Sequence, residues 1–167
     1  MNLSSQLAKH FLDVHFGGNW TTSNLKANLD GVTWQMAITK VDNLNTIGML
    51  VFHMNYYVSA ILNVFRGTPF KAHDKYSYDV PPIKSQREWD ALVQKTFNEA
   101  EELATYIEKI PEEKWMETFV DPKYGNYLRN ILGVTEHNHY HLGQIAIIKK
   151  MLLSESKYNA TTAETNS

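Results

Sequence analysis

A chain of 167 residues, 43% of them hydrophobic, can bury one substantial core and does not call for a second domain. A formal charge of -2 and a pI near 6.4, with no run of Lys and Arg, leave no electrostatic footprint for nucleic acid. With no cysteine, disulfides, thiolate zinc sites, iron–sulfur clusters and a cysteine nucleophile are excluded, so any metal must be held by imidazole and oxygen.

Residues Met1 to Gln6 lack the charged start and apolar stretch of a signal peptide. No apolar run approaches the roughly 18 residues of a membrane span. The expectation is a cytoplasmic protein with no membrane segment.

Leu3, Leu7, Phe11 and Val14 recur at helical spacing, and Gly17-Gly18 ends the run, which predicts a helix from Leu3 to Phe16. Asn19 to Asn24 offers N-caps for a short piece from about Leu25 to Asn28, closed by Asp30-Gly31, and residues 33–39 read as one more turn. Asn45-Thr46 opens a long helix, Ile47 to Arg66, stopped by Gly67 and Pro69. On it His53 shares a face with Leu50, Tyr57, Ala60, Ile61 and Val64, so this histidine points inward.

Residues 70–85 carry Asp74, Asp79 and Pro81-Pro82 without periodicity, and that length suits a crossover along a bundle. Ser85 to Glu88 matches a capping box, followed by Trp89, Phe97, Ala100, Leu103 and Ile107 at helical spacing. Pro111 to Trp115 reads as a short helical turn and Asp121 to Gly125 as a loop. The last helix is expected from about Asn126 to Leu153, with Asn130, Val134, His137, His141, Gln144, Ile145, Ile148 and Leu152 on one face. Residues 154–167 hold little to bury and read as a disordered tail. The fold class is therefore all-α: a four-helix bundle over residues 1–153, with long crossover connections and short extra helices.

His137 and His141 stand four apart, a spacing at which two imidazoles can converge on one ion. A bundle core that needed only volume would not add a third inward imidazole at His53, because each buried polar ring requires partners. Three neutral imidazoles leave a coordination position open, the pattern of catalytic rather than structural zinc, and nickel, iron or manganese suit the same ligands. The HExxH protease motif is absent, since Asn138 stands where that motif has Glu. Gln144, one turn past His141, either orients a ligand from behind or bonds to a neighbouring helix. Tyr57 either points its hydroxyl at the site or packs in the core with a wet tip. Glu136 lies off the ligand face, His10, His15 and His73 do not join the cluster by spacing, and His139 is expected at the surface. Lys75 to Tyr78, Tyr124 to Tyr127 and Trp20 place aromatic rings near chain breakers, either lining a pocket mouth or covering a small core.

The run Leu50-Val51-Phe52-His53 with Gly67 at the helix end, together with His137-x-x-x-His141-Leu142-Gly143-Gln144, resembles the DinB-like (YfiT-like) family of metal-dependent enzymes, over roughly residues 3–153. The resemblance implies a four-helix bundle with crossover connections, a divalent metal on His53, His137 and His141, and frequent homodimerisation. It implies no polymerase activity and does not fix a reaction, although some relatives are transferases that use a low-molecular-weight thiol. The expectation is thus a divalent-metal-dependent enzyme, zinc or nickel first, acting on a small molecule as a thiol-dependent S-transferase or a metal-assisted hydrolase. Its nucleophile would be water or a substrate thiol. The alternative is a non-catalytic bundle that binds a metal or small ligand.

Overall fold

Most helices of this computed structural model begin where a short polar side chain satisfies the first free amides. Asn2 accepts from Ser5 N–H ahead of α1 (Leu3–Phe16), Asn24 caps α2 (Leu25–Leu29) and Thr33 caps α3 (Trp34–Ile38). Thr46 caps α4 (Ile47–Phe65), Ser85 caps α5 (Gln86–Glu108), and Asn126 accepts from Arg129 N–H at the start of α6 (Tyr127–Thr165). The capping box before α5 differs in one arm, since Glu88 Oε2 accepts from Lys84 N–H at 2.6 Å rather than from Ser85. At the end of α4, Thr68 N–H reaches Asn63 O and Gly67 N–H reaches Val64 O; Gly67, at φ +79°, supplies the left-handed turn this pairing requires.

The backbone is described for residues 2–165 and the side chains through Ser154; the last helix, expected to end near Leu153, continues to Thr165 through most of the stretch expected as a disordered tail. Among the described residues there is no strand, only an isolated antiparallel bridge between Thr118 and Asn126, and the fold is all-α. Short 3-10 turns at Asp74–Tyr76, Glu112–Met116 and Pro122–Tyr124 punctuate the connections. The long helices pack as a ring in which α5 and α6 each touch both α1 and α4. Trp89 Nε1 donates to Val32 O at 2.9 Å and so ties α5 to the segment holding α2 and α3. Ser4 Oγ donates to Ile110 O and accepts from Trp115 Nε1, which pins the turn after α5 to α1.

By length and composition α4 could cross a membrane, which the sequence reading did not expect, but 61% of that window is buried inside the protein. It is the central helix of the core.

The apolar core comes in two clusters. One gathers Phe11, Val58, Ile61, Leu103, Ile107, Ile131 and Val134, and the other Val14, Val51, Met54, Trp89, Leu142, Ile145 and Ile148. The division between them falls at the same level on every long helix. There α1 contributes buried His15, α4 His53 and Asn55, α5 Thr96, and α6 Asn138 and His141. A polar layer through a bundle costs stability unless its groups are partnered, so its hydrogen bonds point to what it does.

Candidate metal centre

α4 and α6 bring His53, His137 and His141 together across that layer. His137 Nε2 lies 3.0 Å from His53 Nε2 and 3.1 Å from His141 Nε2, and the three rings form the group able to hold a metal ion among the described residues. The helical phase read from the sequence is the one observed: all three imidazoles meet tip to tip.

The tautomers follow from the other ring nitrogens. His53 Nδ1 is 3.2 Å from Ser77 O, and a carbonyl can only accept, so the proton of the neutral ring is on Nδ1. His141 Nδ1 donates to Gln144 Oε1 at 2.8 Å. Both rings therefore turn a bare Nε2 lone pair toward His137 Nε2. His137 can place at most one proton between them, so at least one Nε2 lone pair meets the cluster without a hydrogen. A Lewis acid removes this conflict. Ions that hold imidazole nitrogen at about 2.0–2.1 Å place neighbouring ligand nitrogens roughly 2.9–3.4 Å apart, depending on geometry, and both observed separations fall in that window.

Protonation would block the site, and the surroundings oppose it. Burial holds His53 down to about 4, with His141 adding to the effect, while the Ser77 carbonyl and Asp74 pull the other way. Burial likewise holds His137 at about 4, helped by His141 and His53. His141 is also lowered by burial, against the pull of Gln144. At neutral pH the three rings are free bases.

Gln144 bonds to His141 on its own helix, not to a neighbouring helix. Tyr57 takes neither of its readings cleanly. Its ring stands edge-on to His53 and His137, at 5.2 and 4.9 Å between centroids, while its hydroxyl donates to Asp74 Oδ1 at 2.6 Å and so turns away from the three nitrogens. Burial and the Asp74 hydrogen bond push that phenol up to about 12. The aromatic run before α5 also resolves: Tyr78 stacks face to face on His53 at 3.9 Å, and Ser77, almost fully buried, supplies the carbonyl. The long connection from α4 to α5 therefore builds one wall of the site. In the second aromatic stretch, Tyr127 is buried against Phe119 and Phe65, whereas Tyr124 lines a cavity beside His137. Trp20 is fully exposed and Glu136 lies on the outside of α6.

Two expectations change. His139 is not a surface residue: it is half-buried against α1, 6.3 Å from His10 between ring centroids, and its Nε2 is buried without a partner. His15 does not join the cluster, yet it sits directly behind it. Its Nδ1 donates to Phe11 O at 3.0 Å, and its Nε2 accepts from Asn138 Nδ2 at 3.2 Å. Both residues are fully buried. Asn138 Oδ1 and His137 Nδ1, on neighbouring residues, are likewise buried and unpartnered. Sequence reasoning missed Asn138. The available signal was a carboxamide beside His137, on the flank of α6 that would face a second helix.

This donor set, three neutral imidazoles with no thiolate and no carboxylate among them, suits zinc, nickel or another borderline divalent ion. The cavity of about 370 Å³ opens on His137, between α4 and the first half of α6. No curated protein and no solved structure matches the chain. The family model of the DinB superfamily matches residues 19–145, a span that holds all three histidines and Gln144, and the chain belongs to that superfamily.

Proposed function

We propose that the protein is a divalent-metal-dependent enzyme acting on a small molecule, with His53, His137 and His141 as ligands. The observation that carries this reading is the meeting of three imidazole nitrogens beside an open cavity. A metal that only held the helices together would be enclosed on every side, whereas the His137 edge faces space large enough for a substrate.

A divalent ion in this site would act as a Lewis acid and lower the pKa of a thiol or water that reached it. The chain's own residues do the rest. Ser77 O and Gln144 Oε1 hold two rings in the liganding tautomer, and Tyr78 and Tyr57 cover His53 and limit water. Among the described residues no free carboxylate or further histidine lines the cavity to serve as a general base, and the Tyr57 hydroxyl is committed to Asp74. A reaction whose co-substrate brings its own acidic nucleophile suits these surroundings better than hydrolysis does. A thiol-dependent S-transfer is therefore the favoured reaction class, with dimerisation and a cytoplasmic location part of the same proposal.

Metal analysis of protein purified without an affinity tag tests the reading. The expected content after incubation with zinc or nickel is close to one ion per chain, because the imidazoles form a single site. Less than about a tenth of an equivalent under those conditions would refute the proposal.

A further inference from the structure

The cavity beside His137 carries a second chemical signature. Its walls are apolar, formed by Ile61, Phe70 and Val134 with the rings of Tyr57 and Tyr124. Among the described residues the charged groups lining it are Lys123 and Arg129, and no carboxylate lines it. Arg129 has no carboxylate within ion-pair distance among the described residues. Lys123 has only a long contact, 3.8 Å to the exposed Asp121, and otherwise lies over the Tyr124 ring. Asp74, whose charge acts on His53, is engaged by the Tyr57 hydroxyl.

The first half of α6 explains the shape. Arg129, Gly133 and His137 follow at intervals of four, an inclined row on the helix surface, and all three line the cavity. Gly133 is the gap in that row: a Cβ built there would meet nothing within 4 Å. Glycine inside a helix costs roughly 1 kcal/mol relative to alanine, and no close backbone contact requires it at this position. What it leaves is a trough running from the Arg129 side chain to the His137 ring, about 12 Å along the axis at 1.5 Å per residue. At the outer end the Arg129 stem lies over the turn at Gly125, where a Cβ would come within 2.6 Å of Arg129 Cδ, so the turn leaves room for the arginine.

We infer that the substrate is an organic anion: an apolar body lying over Gly133, a carboxylate or phosphate held by Arg129 and Lys123, and the reacting end at His137. The inference rests on the metal-site reading for the identity of the reacting end. The anion end rests on the cavity alone. An arginine fork and a lysine ammonium suit an oxyanion with charge-assisted hydrogen bonds, and the apolar walls reject a fully hydrated polyanion.

The test uses zinc-loaded and metal-free protein with three probes of similar body, 4-phenylbutyrate, its neutral amide and 2-phenylethyl phosphate, with affinities from calorimetry. The expected result is that at least one anion binds at least about fivefold tighter than the amide, a modest ratio suited to partly exposed charges. That preference should be present in both metal states and lost in the Arg129→Gln/Lys123→Gln double variant. Comparing the carboxylate with the phosphate identifies the headgroup. Gly133→Leu, which enters open space, should abolish probe binding while zinc affinity and helical circular dichroism stay unchanged. The inference is overturned if the amide binds as well as both anions, or if the preference survives the double variant. It is also overturned if the preference exists only with zinc bound, since the ion would then be the anion receptor. Zinc affinity is read separately in every sample, so loss of the metal reading and loss of the anion reading give different patterns.

Discussion

Acidification from pH 7 to pH 5 should destabilise the metal-free protein through His15, and the size can be worked out. Burial holds this imidazole at about 4 against an ordinary 6.5, only partly offset by its bond to Phe11 O. Its ring is fully buried as the neutral Nδ1–H tautomer, with Nε2 occupied by Asn138. Because the native value is the lower one, the unfolded chain binds more protons between the two, and stability falls as pH falls. The contribution is present above 6.5 and disappears as pH drops toward 4. Over pH 7 to 5 the unfolded state takes up nearly one extra proton here, which is worth about 2 kcal/mol. His53 and His137 shift in the same direction, so wild type alone cannot isolate His15. His15→Leu can. At pH 7 the variant should be less stable by about 1–3 kcal/mol, because Asn138 Nδ2 loses its acceptor. At pH 5 the gap should narrow by about 2 kcal/mol. Urea denaturation of both proteins with chelator present at the two pH values measures it. If wild type and variant lose equal stability between pH 7 and 5, His15 is not held neutral by burial and the reasoning fails.

Gln144→Ala removes the acceptor of His141 Nδ1–H and should weaken zinc binding about 10- to 100-fold in a chelator competition. His139→Ala, pointing at α1, should leave zinc affinity unchanged, and equal losses in both variants would contradict the geometry. Asn138→Ala should lower stability by about 1–3 kcal/mol. A double-mutant cycle with His15→Leu should show a coupling of about 0.5–3 kcal/mol, whereas strictly additive effects would mean that the two side chains do not interact. Ser4→Ala leaves Trp115 Nε1 and Ile110 O without their partner and should cost about 1–3 kcal/mol in fluorescence-monitored unfolding, with no change in zinc affinity.

Most helix bounds and the three-histidine group were legible in the residues alone. Caps, breakers and apolar period are local, so α1, α4 and α5 begin and end within a residue of their predicted bounds. The phase of His53 on α4 and of His137 and His141 on α6 is equally local, because a helix fixes which side chains share a face. What surrounds those three rings came only from tertiary contacts. The Ser77 carbonyl and the Tyr78 ring reach His53 only because a connection without periodicity folds back over α4. His139 and Asn138 were misjudged or missed because a helix in a ring of four touches two neighbours, and its buried arc is wider than one stripe. α6 presents His137 and His141 to α4, but its adjoining flank is covered by α1, which brings His15 onto Asn138 and His10 near His139. No periodicity within α6 reports which helix lies beside it; that depends on contacts between residues more than a hundred positions apart in the chain.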